Sequence, residues 1–60
     1  MTARELEKIL TADGWYHKNT KGSYKHFKHP TKPGKVTIPQ HGGDLDRKTA
    51  DSILMQAGLK

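Results

Sequence analysis

Apolar residues are few along this chain, and their spacing changes twice. Leu6, Ile9 and Leu10 recur as one side of a helix would require, and Thr2 followed three residues later by Glu5 reads as a capping box. The pattern predicts a helix over about residues 3–12, with Gly14 ending it. "WYHKN" then alternates large and polar side chains and breaks at "NTKG", so it reads as a strand entering a hairpin. "SYKHFKH" is a second strand, closed by the turn-forming "PTKPG". "KVTIP" is a third, with Val36 and Ile38 on one face and Pro39 at its end or on an edge. "QHGGDL" reads as a loop. From the N-cap Asp46, the positions Ala50, Ile53, Leu54 and Ala57 return to helical spacing, and Gly58 supplies the stop.

The expected order is helix, three strands, helix. Three antiparallel strands joined by hairpins can carry both helices on one face and leave the other open. The predicted fold class is therefore α+β, a single domain over residues 1–60.

Alternation along the second strand divides it into two faces. Phe27 is its only strongly apolar residue, so Lys25, Phe27 and His29 are expected toward the helices. Tyr24, His26 and Lys28 are expected outward, joined from the third strand by Lys35 and Thr37. An aromatic ring, an imidazole and two ammonium groups would then share the uncovered side.

Charge sharpens this picture. The chain has 60 residues and a net charge of +5. Residues 1–13 and 44–60 are close to balanced, whereas 14–43 hold Lys18, Lys21, Lys25, Lys28, Lys32 and Lys35 with no acid, and all four histidines, His17, His26, His29 and His41. Such a segregated field favours a polyanion, because phosphates neutralised by lysine release counterions. The competing reading is a solvated face that only confers solubility. A membrane surface fits less well, since the basic run lacks the apolar stripe of an interfacial helix. No cysteine is present, which removes disulfides and thiolate metal sites. The N-terminal residues resemble neither a signal peptide nor a membrane span, and a cytoplasmic location is expected.

His26 is the natural proton-transfer group of the outward set, because imidazole serves as both base and acid near neutrality. Tyr24 can stack on a base or donate a hydrogen bond to phosphate. The lysines can offset charge that builds on phosphorus. No metal or other cofactor is expected: His26 and His29 fall on opposite faces, and the carboxylates lie outside this stretch. No Ser/His/Asp arrangement or phosphate-cradling glycine loop can be found.

"DGW", "KGSY…FKHPTKPGKVTIPQH" and "SILMQAGLK" together resemble the HicA (YcfA-like) toxins of bacterial toxin–antitoxin systems, over almost the whole chain. The resemblance implies an α-β-β-β-α fold like that of double-stranded-RNA-binding domains. It also implies a metal-independent endoribonuclease that cleaves messenger RNA, and a HicB-type antitoxin as partner. In that family the residue after the Gly-Ser pair is commonly the catalytic histidine, and here it is Tyr24. Three explanations stay open: His26 has taken the role, the chain is a weakened or inactive RNA- or antitoxin-binding variant, or tyrosine supports a slower reaction. A DNA-binding or structural role is a further, more distant reading. Lys21, Ser23, Lys25, Lys28, Lys32 and Lys35 are the expected RNA-binding residues.

Overall fold

The computed structural model describes residues 1–40 and 42–60; His41, within the expected loop "QHGGDL", lies outside the described residues. Helix α1 spans Ala3–Ala12, strands β1, β2 and β3 span Tyr16–Lys21, Tyr24–Lys28 and Val36–Pro39, and helix α2 spans Arg47–Gln56. The sheet is antiparallel in the order β1-β2-β3.

Both helices begin where their caps dictate. Thr2 Oγ1 accepts from the Glu5 N–H at 3.2 Å, while Glu5 Oε1 accepts from the Thr2 N–H at 2.9 Å, the reciprocal pair of a capping box. Asp46 Oδ1 accepts from the Lys48 N–H at the start of α2. Both helices also end alike. Gly14 and Gly58 take the left-handed conformation, with φ of 106° and 73°. The N–H groups of Gly14 and Trp15 bond to Thr11 and Leu10, and those of Gly58 and Leu59 to Met55 and Leu54, so each terminus closes in a Schellman motif.

One cluster forms the core. Ala3, Leu6 and Leu10 of α1 and Ala50, Ile53 and Ala57 at α2 meet Phe27, Val36 and Ile38 of the sheet, with Trp15 and Leu45 closing the margins. Phe27 pairs with Val36, and Lys25 with Ile38, so these four residues share the helix side of the sheet. Both helices pack on β3. Every residue of β1 is exposed, so that strand overhangs the layer beneath it.

β1 departs from its sequence-based description in two ways. It continues past Asn19 through Thr20 and Lys21, which the sequence assigned to the turn, and the connection shrinks to Gly22 and Ser23. Gly22, at φ 60°, supplies the left-handed first corner that a two-residue hairpin requires. In addition, the ladder slips between His17 and Asn19, leaving a bulge at Lys18.

The β2–β3 connection is fastened to both helix C-termini. The His29 side chain, 8% exposed, donates from Nε2 to the Asp13 carbonyl at 2.7 Å, while Nδ1 accepts from the N–H groups of Thr31 and Lys32, each at 3.1 Å. Those bonds assign Nε2 as the protonated nitrogen; the Asp13 carboxylate, 3.8 Å away, is secondary. The His29 ring meets Trp15 edge to face at 5.2 Å. The buried Trp15 Nε1 has no hydrogen-bond partner among the described residues. Lys32 Nζ donates to Asp13 Oδ2 at 2.5 Å and to the Ala57 carbonyl at 3.0 Å, placing one ammonium at the negative ends of both helices.

A Cβ at Gly14 would lie 2.8 Å from His29 Nε2, whereas one at Gly22 meets nothing within 4 Å. Both positions need a positive φ, which costs about 1–2 kcal/mol for alanine. Gly14→Ala should therefore cost about 1–3 kcal/mol more than Gly22→Ala, because it also displaces the partly buried hydrogen bond from His29 to Asp13. Urea unfolding of the two variants checks this, and equal midpoints would contradict it.

Lys32 holds the Asp13 carboxyl below its ordinary 3.8, bonding outweighing the opposing effect of burial. The Thr2 N–H likewise lowers Glu5 below 4.5, and Lys60 lowers Asp51 below 3.8. A lowered carboxyl adds stability that is complete above its unfolded value and lost as pH falls through the folded one. Stability should therefore decline as pH drops below about 4.5. Asp13→Asn should flatten that decline, as measured by unfolding midpoints between pH 2 and 6.

Candidate RNA-binding face

Phe27 is 2% exposed, which fixes the orientation of the middle strand. Tyr24, His26 and Lys28 consequently point away from the helices. Their ladder partners complete the face: Lys21 and Pro39 flank Tyr24, Asn19 and Thr37 flank His26, and Tyr16 lies opposite Lys28.

The bulge at Lys18 decides which β1 residues join them. Strict alternation would set Tyr16 and Asn19 on opposite sides, because they are three residues apart. The extra residue shifts the pleat, so Tyr16, Asn19 and Lys21 all share the uncovered side, while His17 and Thr20 turn toward the helix side. His17 Nε2 bonds Thr20 Oγ1 at 2.7 Å, and its ring lies 5.7 Å from that of Phe27.

At the centre, His26 Nδ1 bonds Thr37 Oγ1 at 2.9 Å, and the pair is partly buried. That bond orients the imidazole and leaves Nε2 as the nitrogen for outside chemistry. A Thr37 hydroxyl that accepts the bond leaves Nε2 a lone pair; one that donates it leaves an Nε2–H. The site can thus present either a base or an acid. Tyr24, 52% exposed, stands two residues away on the same face.

The expected cationic set divides. Among the described residues Lys21, Lys28 and Lys35 have no ion-pair partner, and Lys21 and Lys28 lie on the open face. Ser23 is exposed in the hairpin, where its carbonyl accepts from the Gln40 N–H at 2.7 Å. Lys25 and Lys32, however, are directed elsewhere. Lys25 Nζ crosses the helix side to Glu7 at 3.1 Å, and Lys32 is committed to Asp13 and Ala57. Neither ammonium group lies on the open face: Lys25 keeps the helix-side phase expected from Phe27, and each has found a helix-borne anion or carbonyl.

The larger concavity does not coincide with this chemistry. It is a cleft of 830 Å³ along α1, lined by Arg4, Glu7, Lys8 and Thr11 and closed by Lys25 of β2 with Gln40 and Gly43 after β3. A smaller groove of 310 Å³ adjoins the open face, where Thr37 and Pro39 meet Lys48, Thr49, Ser52 and Gln56. Among the described residues no group of three or more histidine and carboxylate side chains converges on a metal position. No helix in the described residues is long and apolar enough to cross a membrane.

The sequence reading missed Tyr16 and Asn19. Neither hydropathy nor alternation marks a bulge in "YHKNTK", and pairing with β2 is what exposes it.

The profile of a family described as the HicA toxin of bacterial toxin–antitoxin systems matches residues 3–59. Among solved structures, a chain of a toxin–antitoxin complex from Streptococcus pneumoniae is 37% identical, with a TM-score of 0.84 and 98% of each chain covered. No curated protein sequence matches significantly.

Acylation of lysine amines should follow the division described above. Limiting acetic anhydride at neutral pH should modify Lys21 and Lys35 ahead of Lys32, whose ammonium is held by two acceptors. Peptide mass spectrometry reads the order, and early labelling of Lys32 would contradict it.

Proposed function

The chain belongs to the HicA toxin family of bacterial toxin–antitoxin systems, and we propose that it is an endoribonuclease toxin whose open sheet face binds and cleaves messenger RNA. The observation that carries this reading is the oriented imidazole of His26, set on an uncovered face beside Tyr24 and beside Lys21 and Lys28, which have no ion-pair partner among the described residues. A cytoplasmic setting and a HicB-type antitoxin partner follow from the family; the similar solved structure is itself of a toxin–antitoxin complex.

In the proposed reaction His26 Nε2 takes the proton of an RNA 2′-hydroxyl. The 2′-oxygen attacks the adjacent phosphorus, and the bond to the 5′-oxygen of the next nucleotide breaks. The products are a 2′,3′-cyclic phosphate and a 5′-hydroxyl, whose proton comes from the imidazolium or from water. The nucleophile is already tethered beside its target, so this route needs no metal to generate it. Lys21, Lys28 and Lys35 offset the charge on the phosphate, and the Tyr24 hydroxyl donates to one of its oxygens. Ser23 lies where the RNA backbone would pass the hairpin. An activated water acting as nucleophile would use the same residues.

One feature favours a second reading. Tyr24 occupies the position where the family commonly carries its catalytic histidine, which suits a weakened or inactive variant that binds RNA or antitoxin without efficient cleavage.

The purified chain, in chelator, should cleave RNA and leave a fully 2′-deoxy analogue intact. His26→Ala should slow cleavage by about 10²- to 10⁴-fold, the usual contribution of a positioned general base. Equal cleavage of both polymers would eliminate the 2′-hydroxyl route, and undiminished cleavage by His26→Ala would eliminate His26 as base. If the parent binds RNA without cutting it and Tyr24→His acquires cleavage, the second reading holds.

A further inference from the structure

The two tyrosines of the open face repeat one arrangement on either side of His26. Tyr16, 53% exposed, stands directly opposite Lys28; Tyr24, 52% exposed, stands directly opposite Lys21. Between these pairs lie His26 and its neighbours Asn19 and Thr37. Each pair joins a flat ring, which any nucleobase can cover, to an ammonium group, which a phosphate can reach. Tyr24 and the ladder position of Tyr16 are four residues apart along β2, about 13 Å at the usual strand rise.

We propose that Tyr16 and Tyr24 form a two-ring platform that holds unpaired RNA, stacking one base on each side of the phosphate presented to His26. This rests on the open face being the RNA site and adds the substrate class to it: single-stranded RNA with splayed bases. In a duplex the base faces are already covered by their neighbours, and side chains cannot stack on them without disrupting the helix. The half-exposed rings therefore select against paired substrate, while Lys21 and Lys28 hold either form by charge alone. Tyr24 has separate resources for its two roles, the ring face for the base and the hydroxyl for the phosphate.

The bulge at Lys18 makes this arrangement possible. Without it Tyr16 would fall out of phase with Asn19 and Lys21 and turn to the helix side. Tyr16 leaves about half of its surface to solvent, and neither it nor its ladder partner Lys28 belongs to the buried core.

The test uses the full chain and a fluorescein-labelled octamer of mixed sequence with 2′-O-methyl sugars, which block attack by the 2′-oxygen. An abasic octamer of equal charge and a duplex of equal length serve as comparisons. Tyr16→Leu should weaken binding of the base-bearing octamer about 5- to 100-fold, the range expected for one stacked base, and leave the abasic octamer unaffected. Tyr16→Phe should restore the parent affinity. Circular dichroism of each variant reports the fold, and an exposed position such as this one should leave it intact.

An unchanged affinity in Tyr16→Leu, an equal loss on the abasic octamer, or a duplex bound as tightly as the single strand would overturn the platform. Lys21→Gln and Lys28→Gln separate this from the underlying reading. If they weaken binding of both octamers while Tyr16→Leu does not, the platform fails and the RNA face stands. If neither lysine change nor the tyrosine change affects binding, or the parent binds no octamer, both fail.

Discussion

The burial of one phenylalanine ring organises this protein. Phe27 is the only core residue that the middle strand contributes, and it sits between Val36 on one side of the ladder and His17 on the other. A strand cannot turn one residue inward without turning its immediate neighbours outward. Anchoring Phe27 therefore sends His26 and Lys28 to the opposite side, with Tyr24 in the same phase. A one-residue slip would interchange the faces, burying an imidazole and two charged or phenolic groups under the helices while expelling the only apolar one. The arrangement of the site and the stability of the core are thus one constraint seen from two sides.

That constraint alone would leave the β2–β3 connection free, and the connection has to bring Val36 back beneath the helices. His29 and Lys32 accomplish this by bonding to groups that a helix end leaves unsatisfied or negatively polarised. Asp13, the C-cap of α1, accepts from both side chains, and Lys32 reaches on to the carbonyl of Ala57, the C-cap of α2. In a 60-residue domain, where apolar burial only just offsets chain entropy, a polar clasp of this kind also fixes the relative placement of the two helix termini. It uses up charge in doing so. The basic segment therefore serves two ends: Lys25 and Lys32 hold the helix side together, and Lys21, Lys28 and Lys35 stay available.

How legible each part was depends on how local its cause is. The helix limits could be read because Thr2 with Glu5, Asp46, Gly14 and Gly58 act within four residues of themselves. The phase of β2 could be read because a single apolar residue in an otherwise polar strand leaves one choice. β1 could not, since none of its residues is buried and nothing in its own composition records a slip that exists only relative to β2. The direction taken by Lys32 could not be read for the same kind of reason. Its partners Asp13 and Ala57 are 19 and 25 residues away, and charge counted along a chain does not say which side of a sheet an ammonium will occupy. Lys25 is different, because its inward phase was already implied by Phe27 and only the density of positive charge argued otherwise.

The overhang of β1 follows from the same economy of apolar residues. Two ten-residue helices can cover two strands at this chain length, and the buried residues are spent on β2 and β3. β1 is then held by its ladder to β2 and by the two-residue hairpin, with no packed layer to penalise a bulge or a large exposed ring. Relief from packing is what permits Tyr16 and Asn19 to be set by pairing geometry instead of by hydropathy. The strand least constrained by the core is consequently the one free to shape the outer face, and its bulge brings its side chains into phase with His26.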